Sequence, residues 1–162
     1  MKRLLAAIFA LWVGAVSCDF SAGRQFSLQE GDMFVDFPLY GGRSFSEYIG
    51  RGTYVLVYGW ASWSAPSVEQ LSRLEKVAAQ LPAGRVVPLA LALDDAPSAA
   101  SPLIAGRAPS VPLAVCDATE PARLLDVDSL PFLMLFGPDG TLLKRNLRWG
   151  DLPKILRYIG GN

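Results

Sequence analysis

The sequence contains no histidine. That removes the side chain most often used as a general base near neutral pH, and the commonest neutral metal ligand. Cysteine is nearly as scarce, with only Cys18 and Cys116, far apart in the chain. Two such residues cannot supply a zinc site of four Cys or His ligands, and no Cys-x-x-Cys pair exists. Neither charge is in excess: Lys plus Arg and Asp plus Glu are 15 each. A basic face for nucleic acid is therefore not expected, and no residue constellation points to a metal or another cofactor. What is present is a globular composition. The chain has 162 residues, 51% apolar and 19% charged, enough for one domain with a real core.

Residues 1–18 have the three-part layout of an export signal. Lys2 and Arg3 give the positive start, and residues 4–16 form an uncharged apolar run of 13 residues. As a helix that run would span roughly 20 Å, short of a hydrocarbon core of about 30 Å. If Lys2 and Arg3 leave with the signal, 13 basic residues face 15 acidic ones, a balance of −2. The end of the run, Ala15-Val16-Ser17-Cys18, resembles a bacterial lipobox, with Ala15 where leucine is usual. That resemblance implies cleavage before Cys18 and lipidation of its sulfur, hence an exported protein anchored to the membrane and facing the periplasm or extracytoplasmic space. The alternative is an ordinary signal peptide cut near Ser17 or slightly later. Residues 19–30 read as a polar tether, and residues 31–162 as one domain.

Strand-like and helix-like segments then alternate, which argues for an α/β or α+β domain. Residues 33–39 could be an early strand and residues 44–49 a short helix. Residues 53–58 are a continuous β-branched and aromatic run, the mark of a buried strand. From Pro66 to Leu81 the apolar positions Val68, Leu71, Leu74, Val77, Ala78 and Leu81 recur at helical spacing. Residues 86–93 form another apolar run, in which Pro88 needs a strand start, an edge or a bulge. Pro97, Pro102, Pro109 and Pro112 argue against a long regular helix in residues 94–112. A short strand at 113–115, a helical turn at 120–125 and a hairpin over 132–144 follow. Asp151 is placed to cap a last helix, with Pro153 in its first turn and Leu152, Ile155, Leu156 and Ile159 on its core face.

The segment YVLVYGWASWSAPSVEQLSRL, residues 54–74, resembles the active-site stretch of TlpA-like and ResA-like thioredoxin proteins. There a hydrophobic strand leads into a W-A-x-W-C-x-P-C turn and then a helix. Here the turn reads Trp60-Ala61-Ser62-Trp63-Ser64-Ala65-Pro66-Ser67, with serine in both cysteine positions. Residues 31–39 match the family's N-terminal extension, Ser129-Leu130-Pro131 its cis-proline loop, and residues 137–140 its hairpin turn. Gln70 and Ser72 stand where many members have Glu and Pro. The resemblance implies a thioredoxin-like α/β fold with a central mixed β-sheet flanked by helices. It also implies a site at Ser64 and Ser67, in the places of the catalytic cysteines.

In the family, a thiolate at the first position attacks a substrate disulfide and the second cysteine resolves the mixed disulfide. Serine oxygens cannot store two electrons as a disulfide. A serine hydroxyl also stays protonated near pH 7 without an activating base, and a Ser-His triad is excluded. Ser64 and Ser67 are expected to be inactive, and one or the other to cap the helix by bonding its free amides. Cys116 is expected to be an inert packed residue. By resemblance, Trp63, Ala65, Pro66, Leu130 and Pro131 would line a shallow groove for a protein or peptide segment in the cell envelope. The opposing reading gives those residues a purely structural role in the turn. Two functions stand side by side. One is a redox-inactive binding or scaffolding module. The other is a thiol-disulfide oxidoreductase whose cysteines have been replaced by serine. A catalytic protein using another site finds no supporting residues.

Overall fold

The computed structural model describes residues 27–160. The signal segment 1–18, Cys18 and residues 19–26 of the tether lie outside the described residues. Packing begins at Leu28, inside the segment read as a tether: its side chain is buried and its amide donates to the Leu124 carbonyl at 3.1 Å.

The central strand is β3 (Tyr54–Trp60). Every residue after Tyr54 is buried, because the strand is covered on both faces and flanked on both edges. On one side it pairs in parallel with β4 (Val86–Leu93), which pairs in parallel with β5 (Leu113–Cys116). On the other it pairs antiparallel with β6 (Phe132–Phe136), which pairs antiparallel with β7 (Leu142–Lys144). The order β5-β4-β3-β6-β7 makes a five-stranded mixed sheet. A two-stranded ribbon, β1 (Pro38–Leu39) and β2 (Arg43–Ser44), stands apart from it.

Alternation along β3 feeds two cores. Val55 and Val57 face one layer, where Leu28, Phe37, Phe45, Leu124 and Phe136 pack. Leu56, Tyr58 and Trp60 face the other, under helices α2 (Leu71–Ala78), α3 (Pro97–Arg107) and α5 (Leu152–Gly160), while the short α4 (Thr119–Leu124) brings Leu124 to the first layer. The strand's two-residue period thus sets which side the helices cover. Pro88 fits β4 because β5 pairs only from Ala90 onward, leaving β4 an edge on that side at Pro88.

Four local expectations are corrected. Of residues 33–39, only Pro38–Leu39 forms a strand; Met33 makes a single bridge to Thr141. The amides here go to the hairpin instead, as Phe34 donates to the Gly140 carbonyl at 3.0 Å. The motif helix is two helices, α1 (Ala65–Glu69) and α2, divided at Gln70 (φ −83°, ψ −5°). Residues 94–112 do hold a helix of 11 residues, α3. Pro97 sits in its first turn, where a missing amide costs nothing. Burial of Ala100 and Ile104 offsets Pro102, and Pro109 and Pro112 fall beyond the end. Finally, the Asp151 carboxylate accepts the Arg148 amide at 3.2 Å rather than an amide of α5.

Candidate functional site

At the end of β3 the chain leaves the sheet at Ala61, turns through Ser62 and Trp63, and enters α1 after Ser64. Ser64 is the N-cap residue, extended at φ −96° and ψ 95°, and Pro66 lies in the first turn. Its carbonyl accepts the Ser67 and Val68 amides, each at 3.0 Å. Its hydroxyl makes no capping bond. Ser67 does not cap either, which corrects the capping expectation. Wholly buried, its hydroxyl points back into the turn, 2.8 Å from the Ser64 carbonyl and 3.2 Å from that of Ala61. It accepts the Ala61 amide at 3.3 Å. The Tyr58 hydroxyl donates to the Ser67 carbonyl at 2.7 Å. Tyr58 itself is buried, and desolvation pushes its phenol well above the ordinary value.

Carbonyls are no base for a serine. Among the described residues no carboxylate or amine hydrogen-bonds Ser64 or Ser67. The turn can hold a shape and offer a surface; neither Ser64 nor Ser67 has, among the described residues, a base beside it to make its oxygen a nucleophile.

A residue that sequence reasoning missed fixes this turn. Asp94, just past β4, is only 2% exposed. Its two carboxylate oxygens accept the Ser62 amide at 3.1 and 3.0 Å, and the Ser62 hydroxyl donates to one of them at 2.6 Å. Asp94 in turn donates its own amide to the Cys116 carbonyl at 3.2 Å. A charged residue directly after an apolar strand run was the available signal. Its partner lies 32 residues earlier, so no local pattern reveals the pair.

A cleft of about 430 Å³ opens beside the turn, lined by Trp63, Ser64, Leu93, Ala122, Val127 and Leu130 among others. Trp63 is 70% exposed, unusual for so large an apolar ring. The Leu130–Pro131 peptide is cis. Pro131 faces a second cleft of about 280 Å³ with Tyr58, Gln70, Phe132 and Trp149. The structure therefore brings Trp63, Ser64 and Leu130 together and puts Pro131 next door. Ala65 and Pro66 are exposed on the first turn of α1 and line neither cleft.

Cys116 closes β5 and is fully buried. Burial first, then the nearby Asp117 and Asp94 carboxylates, pushes its thiol up to about 12. Its sulfur lies 3.6 Å from the Ala92 carbonyl. It is not a substitute for the missing pair. The described residues contain no group of three or more potential metal ligands, and no helix among them is long and apolar enough to cross a membrane.

No protein-family profile matches the chain, and no curated protein does. Solved structures do. A protein from Chlorobium tepidum assigned as the thiol:disulfide interchange protein DsbE superposes with a TM-score of 0.69 at 24% identity, over 83% of this chain and 99% of that one. A thiol-disulfide oxidoreductase from Bacteroides fragilis gives 0.67 at 23% identity, over 81% and 99%. The pneumococcal exposed lipoprotein thioredoxin Etrx1 from Streptococcus pneumoniae gives 0.60 at 20% identity, over 78% and 98%. Sheet order, flanking helices and these neighbours agree: the chain has the thioredoxin-like fold.

Proposed function

We propose that this chain is an exported, lipid-anchored thioredoxin-fold protein of the TlpA-like kind that performs no disulfide exchange. It serves as a binding or scaffolding module in the cell envelope, holding a polypeptide segment at the cleft beside Trp63. One observation carries the reading. The two positions that would supply thiols in W-C-x-P-C are Ser64 and Ser67, and the Ser67 hydroxyl is sealed against the backbone of its own turn. Disulfide exchange requires one sulfur to attack and a second to release the product. This site has neither, while the surface beside it stays open and largely apolar.

Insulin reduction by dithiothreitol tests the redox half. The chain as it stands should leave the rate at the uncatalysed level, and the Ser64→Cys/Ser67→Cys variant should accelerate it. Acceleration by the unaltered chain would overturn the proposal. Mass spectrometry of the mature N-terminus tests the anchor. A diacylglyceryl group on Cys18 is expected, and an unmodified terminus elsewhere would remove that part of the reading.

A further inference from the structure

Leu130 and Pro131 form a ridge between the two clefts, and the two sides differ in charge. On the Leu130 side, Asp128 stands on the wall of the larger cleft beside Trp63. On the Pro131 side, Arg148 stands on the wall of the smaller cleft beside Trp149. The Arg73 guanidinium lies over the Trp149 ring, 5.2 Å from its centre, and is not on the wall of that cleft. Asp128, Arg73 and Arg148 are all exposed. None of the three has an ion-pair partner among the described residues, whose ion pairs are Arg43–Glu47, Arg123–Glu120, Lys144–Glu30 and Arg145–Asp126.

The geometry points to one class of occupant: an extended polypeptide segment with opposite charges either side of an apolar residue. The apolar residue sits against Trp63 and Leu130. A basic residue faces Asp128, and an acidic residue lies across the ridge, facing Arg148. This deepens the binding reading above and rests on it. An extended chain advances about 3.3 Å per residue, so a few residues carry it from one cleft to the other. The exposed tryptophan supplies contact area, as aromatic anchors do at interfaces. The flanking charges add little affinity but fix register and reject segments of the wrong polarity.

The test uses dye-labelled nine-residue peptides, a central leucine in a Ser/Gly background, titrated into the full-length chain bearing Cys18→Ser. Four peptides carry Lys and Glu in the two flanking positions: both mixed orders, Lys on both sides, and Glu on both sides. One mixed order should bind roughly fivefold tighter than either uniform peptide at low ionic strength, and added salt should shrink the difference. The double charge swap Asp128→Arg/Arg148→Glu should move the preference to the other mixed order. Both positions are exposed, so circular dichroism should show the fold unchanged. If all four peptides bind alike, the charge assignment is wrong and the binding cleft stands. If none binds, both fail. A concentration-dependent dimer, abolished by Trp63→Ala and indifferent to every peptide, would give the cleft to a second copy of the chain and overturn the inference.

Discussion

At the scale of single residues, the site is defined by what its polar groups already hold. Ser67 has bonded its hydroxyl to the turn that carries it, and Asp94 has spent both oxygens on Ser62. Asp94 is therefore a positioning residue for the loop that presents Trp63 and Ser64. Asp94→Ala should lower stability by about 1–3 kcal/mol, since two part-buried donors lose their acceptor. Asp94→Asn retains a carbonyl oxygen and should lose less. Urea titration ranks the two, and equal losses would mean that the bonds to Ser62 are not the cause. Cys116 makes a second prediction. Buried, with its thiol pushed up to about 12, it should resist a thiol reagent at pH 7.5 and react at once after unfolding in guanidinium. Rapid labelling of the native protein would contradict the packing described for β5.

At the scale of elements, strands were easier to read than helices. The core strands β3, β4 and β6 are continuous apolar runs, and burial on both faces demands that pattern. The hairpin and the cis-proline loop were legible from Gly137, Gly140 and Pro131. Helix α3 was not, because four prolines outweighed its alanines in a local reading, and only packing of Ala100 and Ile104 decides the matter. The break at Gln70 was hidden too. Its side chain accepts the Trp149 indole N–H at 2.6 Å, a contact across 79 residues. The groove residues were named by resemblance. Three-dimensional placement then separated Trp63 and Leu130 from Ala65 and Pro66. One close approach ties the elements of the site together. Gly59 on β3 faces Phe132 on β6, and a Cβ at Gly59 would lie 1.9 Å from that ring. Gly59→Ala should cost on the order of 1–3 kcal/mol by overpacking and shift the adjoining Pro131. Thermal denaturation measures the loss, and an unchanged Tm would show that the ring moves freely.

At the scale of the whole molecule, the lack of histidine fixes the response to pH. Between about pH 5 and 8 no side chain of ordinary value titrates, so stability should be flat there. Acid is different. Lys144, hydrogen-bonding Glu30, and then the Arg145 amide hold that carboxyl below its usual 4.5. The Thr141 amide, then its hydroxyl, does the same for Asp139 against 3.8. A lowered folded-state value means stability that is complete above the unfolded value and lost as pH falls through the folded one. Unfolding free energy should therefore hold from pH 8 to 5 and decline below about pH 4.5. Both carboxyls are exposed, so the decline should be shallow. A loss of stability between pH 7 and 6 would count against this picture.

The two serines of the turn are not equivalent, and that makes the protein a tool for finding its own partner. Ser64 borders the open cleft, whereas Ser67 is enclosed. A Ser64→Cys variant would place one sulfur where a bound segment passes, with no neighbouring thiol to expel whatever it joins. Cys116 is too deeply buried to do so. Where the bound segment carries a disulfide, the introduced thiolate would attack one of its sulfurs and release the other as a thiol. That mixed disulfide should persist until a reductant is added, so the adduct can be isolated and its second half sequenced. Ser67→Cys should give no adduct, which makes it the control. The substitution pattern that silences exchange is, with one atom restored, a covalent snare.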